Sequence, residues 1–96
     1  AKPPKPGEGP SKEERENGFY DVLFVADMPD GESVHFGVKG KYDPGYGSTS
    51  RMLSETGIAL LSCDKPGGIG TPGYFLGEDL VQRLEEHAEL TFAAEN

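Results

Sequence analysis

Cysteine is nearly absent: Cys63 stands alone in a chain of 96 residues. One thiol excludes an intramolecular disulfide and any site built from several cysteines. Long apolar runs are missing as well. No stretch approaches the ~20 residues that cross a bilayer, and none of these residues is expected to serve as a basic-then-apolar leader. Basic residues are scarce: 9 Lys and Arg face 17 Asp and Glu, for a net charge of −8. A field of that sign disfavours unaided binding to nucleic acid or to an anionic membrane, both of which need basic patches. The expectation is a protein of reduced, cytoplasmic setting, with no nucleic-acid partner and no membrane span.

Glycine and proline, by contrast, are abundant, at 14 and 8 residues. Apolar residues make up 34% of the chain, enough for one modest core and one small domain. Position 1 is Ala, so a piece cut from a longer protein is expected. Residues 1–10 hold four prolines and two glycines. That composition predicts a polyproline-like arm, not a helix or a central strand. Ser11 and Glu14 have capping-box spacing, and Gly18 is placed to close a short helix in a left-handed turn. Residues 1–18 thus read as a Pro/Gly-rich arm with a short helix, and 19–96 as the folded domain.

Phe19 to Ala26 is rich in β-formers. Both faces of that run are largely apolar, which predicts a strand covered on both sides. Pro29-Asp30-Gly31 is a turn, and Val34, Phe36 and Val38 alternate into a second strand, making an antiparallel hairpin. Asp43-Pro44 reads as an N-cap followed by a first helical residue, ahead of Met52, Leu53, Thr56, Ala59 and Leu60 at helical spacing. Thr71-Pro72 repeats the cap and opens a second helix, with Leu80, Val81, Leu84 and Ala88 on one face. Leu90 and Phe92 alternate into a last strand. The fold class is α+β: a two-layer unit with a small, mainly antiparallel sheet, element order β-β-α-α-β, packed by two helices.

Parts for chemistry are few. Gly68-Ile69-Gly70-Thr71-Pro72-Gly73 matches G-x-G-x-x-G, but a dinucleotide site needs a buried strand directly before that pattern. Cys63-Asp64-Lys65-Pro66 is no strand, and Pro72 removes an N–H donor, so this loop reads as a glycine-rich connection. His35, His87 and Cys63 lack partners at ligand or catalytic spacing, so no catalytic, metal or cofactor-binding residue is assigned. The strongest candidates for substrate or domain contact are Asp43, Gly45, Tyr46, Gly47, Ser48 and Thr49. Glycines there permit close approach, hydroxyls are at hand, and a helix N-terminus offers free N–H groups. The plainer reading is that the glycines turn the chain and the hydroxyls cap the helix.

The order of these motifs carries a resemblance. Gly7-Glu8-Gly9-Pro10-Ser11, Asn17-Gly18-Phe19, Asp43-Pro44-Gly45-Tyr46-Gly47 and Gly67-Gly68-Ile69-Gly70-Thr71-Pro72 follow one another. A Met-Leu-Ser-Glu segment comes after the third and Leu76-Gly77-Glu78 after the last. The chain, from about Gly7 to Phe92, resembles the C-terminal part of saccharopine-dehydrogenase-like oxidoreductases, which include the trans-acting enoyl reductases. That resemblance implies an N-terminal Rossmann domain binding NADP in the full-length parent, and no cofactor held by these residues. It implies a non-catalytic share of an oxidoreductase that shapes the substrate cleft or an oligomer interface, with the missing Rossmann domain as partner. Activity of these residues alone is left open. A homodimer is a further expectation, because the doubly apolar first strand needs more cover than two helices supply. The alternative is a free-standing acidic module that binds a protein or peptide along an exposed strand edge.

Overall fold

The computed structural model describes residues 2–95; Ala1 and Asn96, at the outer ends of the two expected segments, lie outside the described residues. The elements run α1 (Lys12–Asn17), β1 (Phe19–Asp27), β2 (Ser33–Lys41), α2 (Gly47–Leu60), α3 (Pro72–Leu76), α4 (Glu78–His87) and β3 (Leu90–Glu95). The chain is α+β in the expected order. Its second helix is divided, because Gly77 takes φ +53 and ψ −132 between α3 and α4. The sheet is antiparallel throughout, in the order β1-β2-β3.

The hairpin follows from its turn. Gly31 adopts φ +90, and its N–H donates to the Met28 carbonyl at 3.0 Å while the Met28 N–H donates to Glu32 at 2.8 Å. Only glycine takes that conformation without strain. Phe19 then pairs with Lys41, Leu23 with Gly37 and Asp27 with Ser33. Beyond β2, Val38 pairs with Phe92 and Gly40 with Leu90. Directly paired residues share a face. One face therefore carries Tyr20, Val22, Phe24, Val34, Phe36, Val38, Leu90 and Phe92. The other mixes Phe19, Leu23 and Val25 with charged pairs such as Asp21–Lys39 at 3.8 Å.

The core sits at one end of the apolar face. Leu84, Ala88 and Leu90 are buried, and Val38, Met52, Leu80 and Phe92 pack against them. Each buried Leu contributes about 1.5–3 kcal/mol. Two expectations need correction. The Asp43-Pro44 helix start is displaced: α2 begins at Gly47, and Pro44 to Tyr46 form a turn. Gly18 ends α1 in extended backbone at φ −67, not in a left-handed turn. Its small size is needed for a different reason, since a Cβ there would lie 2.7 Å from the Asp43 nitrogen.

The largest departure concerns β1. The sequence asks for cover on both faces, yet Val22, Leu23, Phe24 and Val25 are 41%, 55%, 56% and 54% exposed. The cause is placement: the helices pack where Leu84 and Ala88 meet Leu90, leaving the Ala26–Val34 end of the hairpin bare. The described residues form an elongated body of 46 × 36 × 25 Å. Its accessible surface is 7458 Å², against roughly 5,400 Å² for a compact protein of this mass.

Candidate functional site

The loop before α2 is organised by one carboxylate. Asp43 Oδ1 accepts from the Gly45 and Tyr46 N–H groups at 3.0 and 3.1 Å, and Oδ2 accepts from Gly47 at 2.5 Å. At the helix start itself, the Gly47 N–H is taken by the Asp43 carboxylate and the Ser48 N–H by the Asp43 carbonyl at 2.8 Å. Proline at 44 lets the chain fold back on Asp43 without wasting a donor. The loop is also tied to the arm, because the Asp43 N–H donates to the Arg15 carbonyl at 3.0 Å and Arg15 Nη1 donates to Pro10 at 2.8 Å. Gly47 has no room for a side chain: a Cβ would lie 2.8 Å from both the Arg15 oxygen and Asp43 Oδ2.

The remaining candidates have separate surroundings. Ser48 is fully buried and shares a 2.6 Å hydrogen bond with the Tyr20 hydroxyl, joining α2 to β1. Thr49 Oγ1 donates to the Pro44 carbonyl at 2.6 Å. Arg51 closes the far side, donating to the Gly47 carbonyl at 2.6 Å while its guanidinium lies 3.6 Å over the Tyr42 ring. Tyr42 itself takes φ +73, an uncommon state for a bulky residue. Tyr46 alone among the six candidates presents a large exposed side chain, at 61%. The site is thus an internally hydrogen-bonded loop that offers one aromatic ring outward.

The three N–H donors set the loop's pH response. The Gly47 N–H, aided by Tyr46, Gly45 and the charge of Arg15, holds the Asp43 carboxyl below the usual carboxylate range. A carboxyl depressed on folding contributes stability above its unfolded value, near pH ~3.9, and loses it as pH falls through the lower folded value. Asp43→Asn should therefore be less stable than wild type by a constant margin at neutral pH, with the margin closing below about pH 4. Urea titrations from pH 7 to pH 2 measure this; a flat margin would show that the charge is idle.

The Gly68–Gly73 loop does not have the geometry of a dinucleotide cradle. Residues 62–70 form no strand, and the helix that follows is only Pro72–Leu76. The Thr71 side chain already accepts from the Tyr74 N–H at 3.2 Å. Sequence reasoning missed a neighbouring cleft of about 610 Å³ between the end of α2 and the α3–α4 junction, lined by Cys63, Lys65, Phe75, Asp79, Arg83 and Glu86 among others. It arises from residues distant in sequence, so no local pattern marks it. Its cations are engaged: Arg83 Nε meets Glu55 at 2.7 Å, and Lys65 Nζ donates to the Tyr74 carbonyl at 2.5 Å. The Cys63 thiol donates to the Phe75 carbonyl at 3.4 Å. Among the described residues, no group of three His, Cys, Asp or Glu side chains could hold a metal ion, and no helix is long and apolar enough to cross a membrane.

Comparison with known proteins follows the same outline. No family model matches the chain, and no solved structure does. Curated proteins do match. Over 85 residues, 84% of this chain, it is 39% identical to a protein of Mycobacterium tuberculosis strain H37Rv whose name marks it as a candidate trans-acting enoyl reductase. The counterpart in strain CDC 1551 gives the same figures. A protein of Mycobacterium ulcerans strain Agy99, named as a trans-acting enoyl reductase, is 34% identical over 87 residues, 86% of this chain. The matched stretch is only 20% or 21% of those proteins. The chain thus spans about one fifth of the length of the curated relatives it matches, and its relationship is to part of an oxidoreductase.

Proposed function

We propose that this chain is the C-terminal, non-catalytic share of an NADP-dependent, saccharopine-dehydrogenase-like oxidoreductase of the cytoplasm, and that it shapes the substrate cleft. The observation that carries this reading is the 39% identity to one fifth of a protein named for enoyl reduction. The loop geometry supports it. Asp43, Gly45, Gly47, Ser48 and Thr49 spend their polar groups on one another and on their neighbours. They fix a ring, Tyr46, at the surface where a facing Rossmann domain or a bound substrate would meet it. NADP belongs to that facing domain.

Two measurements test the reading. Titrated with NADPH, the 96-residue chain should show no affinity tighter than about 100 μM, because no strand leads into the Gly68–Gly73 loop and Pro72 removes one of the N–H donors a pyrophosphate needs. Tighter binding that Gly70→Val abolishes would overturn it. The second measurement uses the polypeptide extended to the length of the relatives, assayed for NADPH oxidation with an enoyl substrate. Tyr46→Ala should there lower kcat/KM without changing the affinity for NADPH. An unchanged kcat/KM would remove the loop from the cleft.

A further inference from the structure

The two faces of the sheet differ at its bare end. On the face that carries the core, Val22, Phe24, Val34 and Phe36 are 41%, 56%, 49% and 40% exposed, and Ala26 and Ala94 are exposed beside them. Phe24 pairs with Phe36, Ala26 with Val34 and Phe36 with Ala94, so these residues form one strip across three strands. The strip holds no polar side chain. It runs without a break into the core, because Val38 and Phe92 pair on the same face and pack against Leu84, Ala88 and Leu90. The opposite face interleaves Leu23 and Val25 with charge: Asp21 lies 3.8 Å from Lys39, and Ser33 Oγ donates to Asp27 at 2.5 Å. That face is suited to water, and the strip is not.

We propose that this strip seats an amphipathic helix from the part of the polypeptide that the relatives possess beyond the matched stretch. The proposal rests on the reading above that these residues are a share of a larger protein. Three observations select that occupant over a second copy. First, the match covers 84% of the 96 residues, so residues 16–81 must lie within it and the whole hairpin belongs to what the relatives share. In those relatives the matched stretch is 20% of the protein, so the hairpin stands in the same chain as the other four-fifths. Second, the layer is already begun. α2 holds this face through the Ser48–Tyr20 bond, and α4 through Leu84 against Leu90. A sheet face in an α+β unit is closed by helices. Three strands at about 4.8 Å spacing span about 10 Å, the width of one helix. One more helix therefore completes the layer beside α2 and α4. Third, each copy carries −8, and like net charge opposes pairing of copies.

Hydroxyl-radical footprinting of the wild-type polypeptide, extended to the length of the relatives and read residue by residue by mass spectrometry, tests this without a variant. Phe24 and Phe36 lie on the strip, and Phe19 lies on the opposite face. Exposures of 56%, 40% and 80% alone make the first two at most about twofold less reactive than Phe19. Beneath a helix they should be about fivefold or more less reactive, as buried side chains are. Reactivities within twofold of Phe19 would overturn the proposal, and so would protection that is lost on dilution, which would give the strip to a second copy. Photoreactive benzoylphenylalanine in place of Phe24 then identifies the cover. Its adducts should fall outside these 96 residues at the three- and four-residue spacing of a helix face. Adducts within these residues, or at every second residue of a strand, would overturn it. Neither measurement reads NADPH or turnover. Protection of the strip in a polypeptide that oxidises no NADPH would uphold this contact while the oxidoreductase reading fell.

Discussion

Leu84→Ala should cost about 2–5 kcal/mol, the usual range for emptying a core leucine site. In a small domain whose whole stability is about 5–15 kcal/mol, that is enough to abolish cooperative unfolding or nearly so. Leu84 is 7% exposed and sits between Ala88 and Leu90, so it is the point where α4 meets the sheet. Few other residues share the load: Leu76, Ala88 and Leu90 are the remaining buried apolar side chains among the described residues. Leu53→Ala, at a helix position 73% exposed, should by contrast change stability by less than about 0.5 kcal/mol. Urea titrations of both variants measure the difference. Equal losses would mean that the core lies elsewhere.

The second large effect is expected at Gly40. It is buried in β2, opposite both Tyr20 and Leu90, and a Cβ there would fall within the Tyr20 ring. Gly40→Val must push that ring aside, an overpacking cost of about 1–3 kcal/mol. The displaced ring also leaves the Ser48 hydroxyl buried without its 2.6 Å partner, which adds about 1–3 kcal/mol. If this account holds, Tyr20→Ala removes the clash, and the double variant loses clearly less than the sum of the single ones. Additive losses in a double-mutant cycle would place the strain outside the Tyr20–Gly40 contact.

Local chemistry made much of this fold legible. The Ser11–Glu14 capping box forms as its spacing demands, with Glu14 N–H donating to Ser11 Oγ at 3.2 Å and Glu14 Oε2 accepting from Ser11 N–H at 2.7 Å. Pro29-Asp30-Gly31 turns the hairpin, and Thr71-Pro72 starts a helix. Each signal acts over a few residues, so a sequence displays it whole. The failures were of longer reach. Asp43 does accept from the first helical N–H, that of Gly47, but from four residues before it, so the helix starts later than the Asp-Pro pair suggests. The break at Gly77 was hidden because the apolar stripe of Leu80, Leu84 and Ala88 continues past it in phase. The bareness of β1 was illegible, since composition states what a strand needs and not which layers exist to supply it. At the candidate site, the six residues could be named, but the Arg15 and Tyr20 contacts that organise them come from elements 28 or more residues away.

The strand order carries a consequence for how the molecule assembles. β1 and β2 are joined by a short turn, so their ladder closes locally and can form within microseconds. β3 reaches the same sheet only after some fifty residues, and every one of α2, α3 and α4 lies in that interval. Closing so long a loop costs entropy that must be offset by contacts already in place. The Leu84–Ala88–Leu90 core is therefore a late event, completed when the last strand arrives. Until then the hairpin stands by itself, with its apolar side chains in water and both of its edges open.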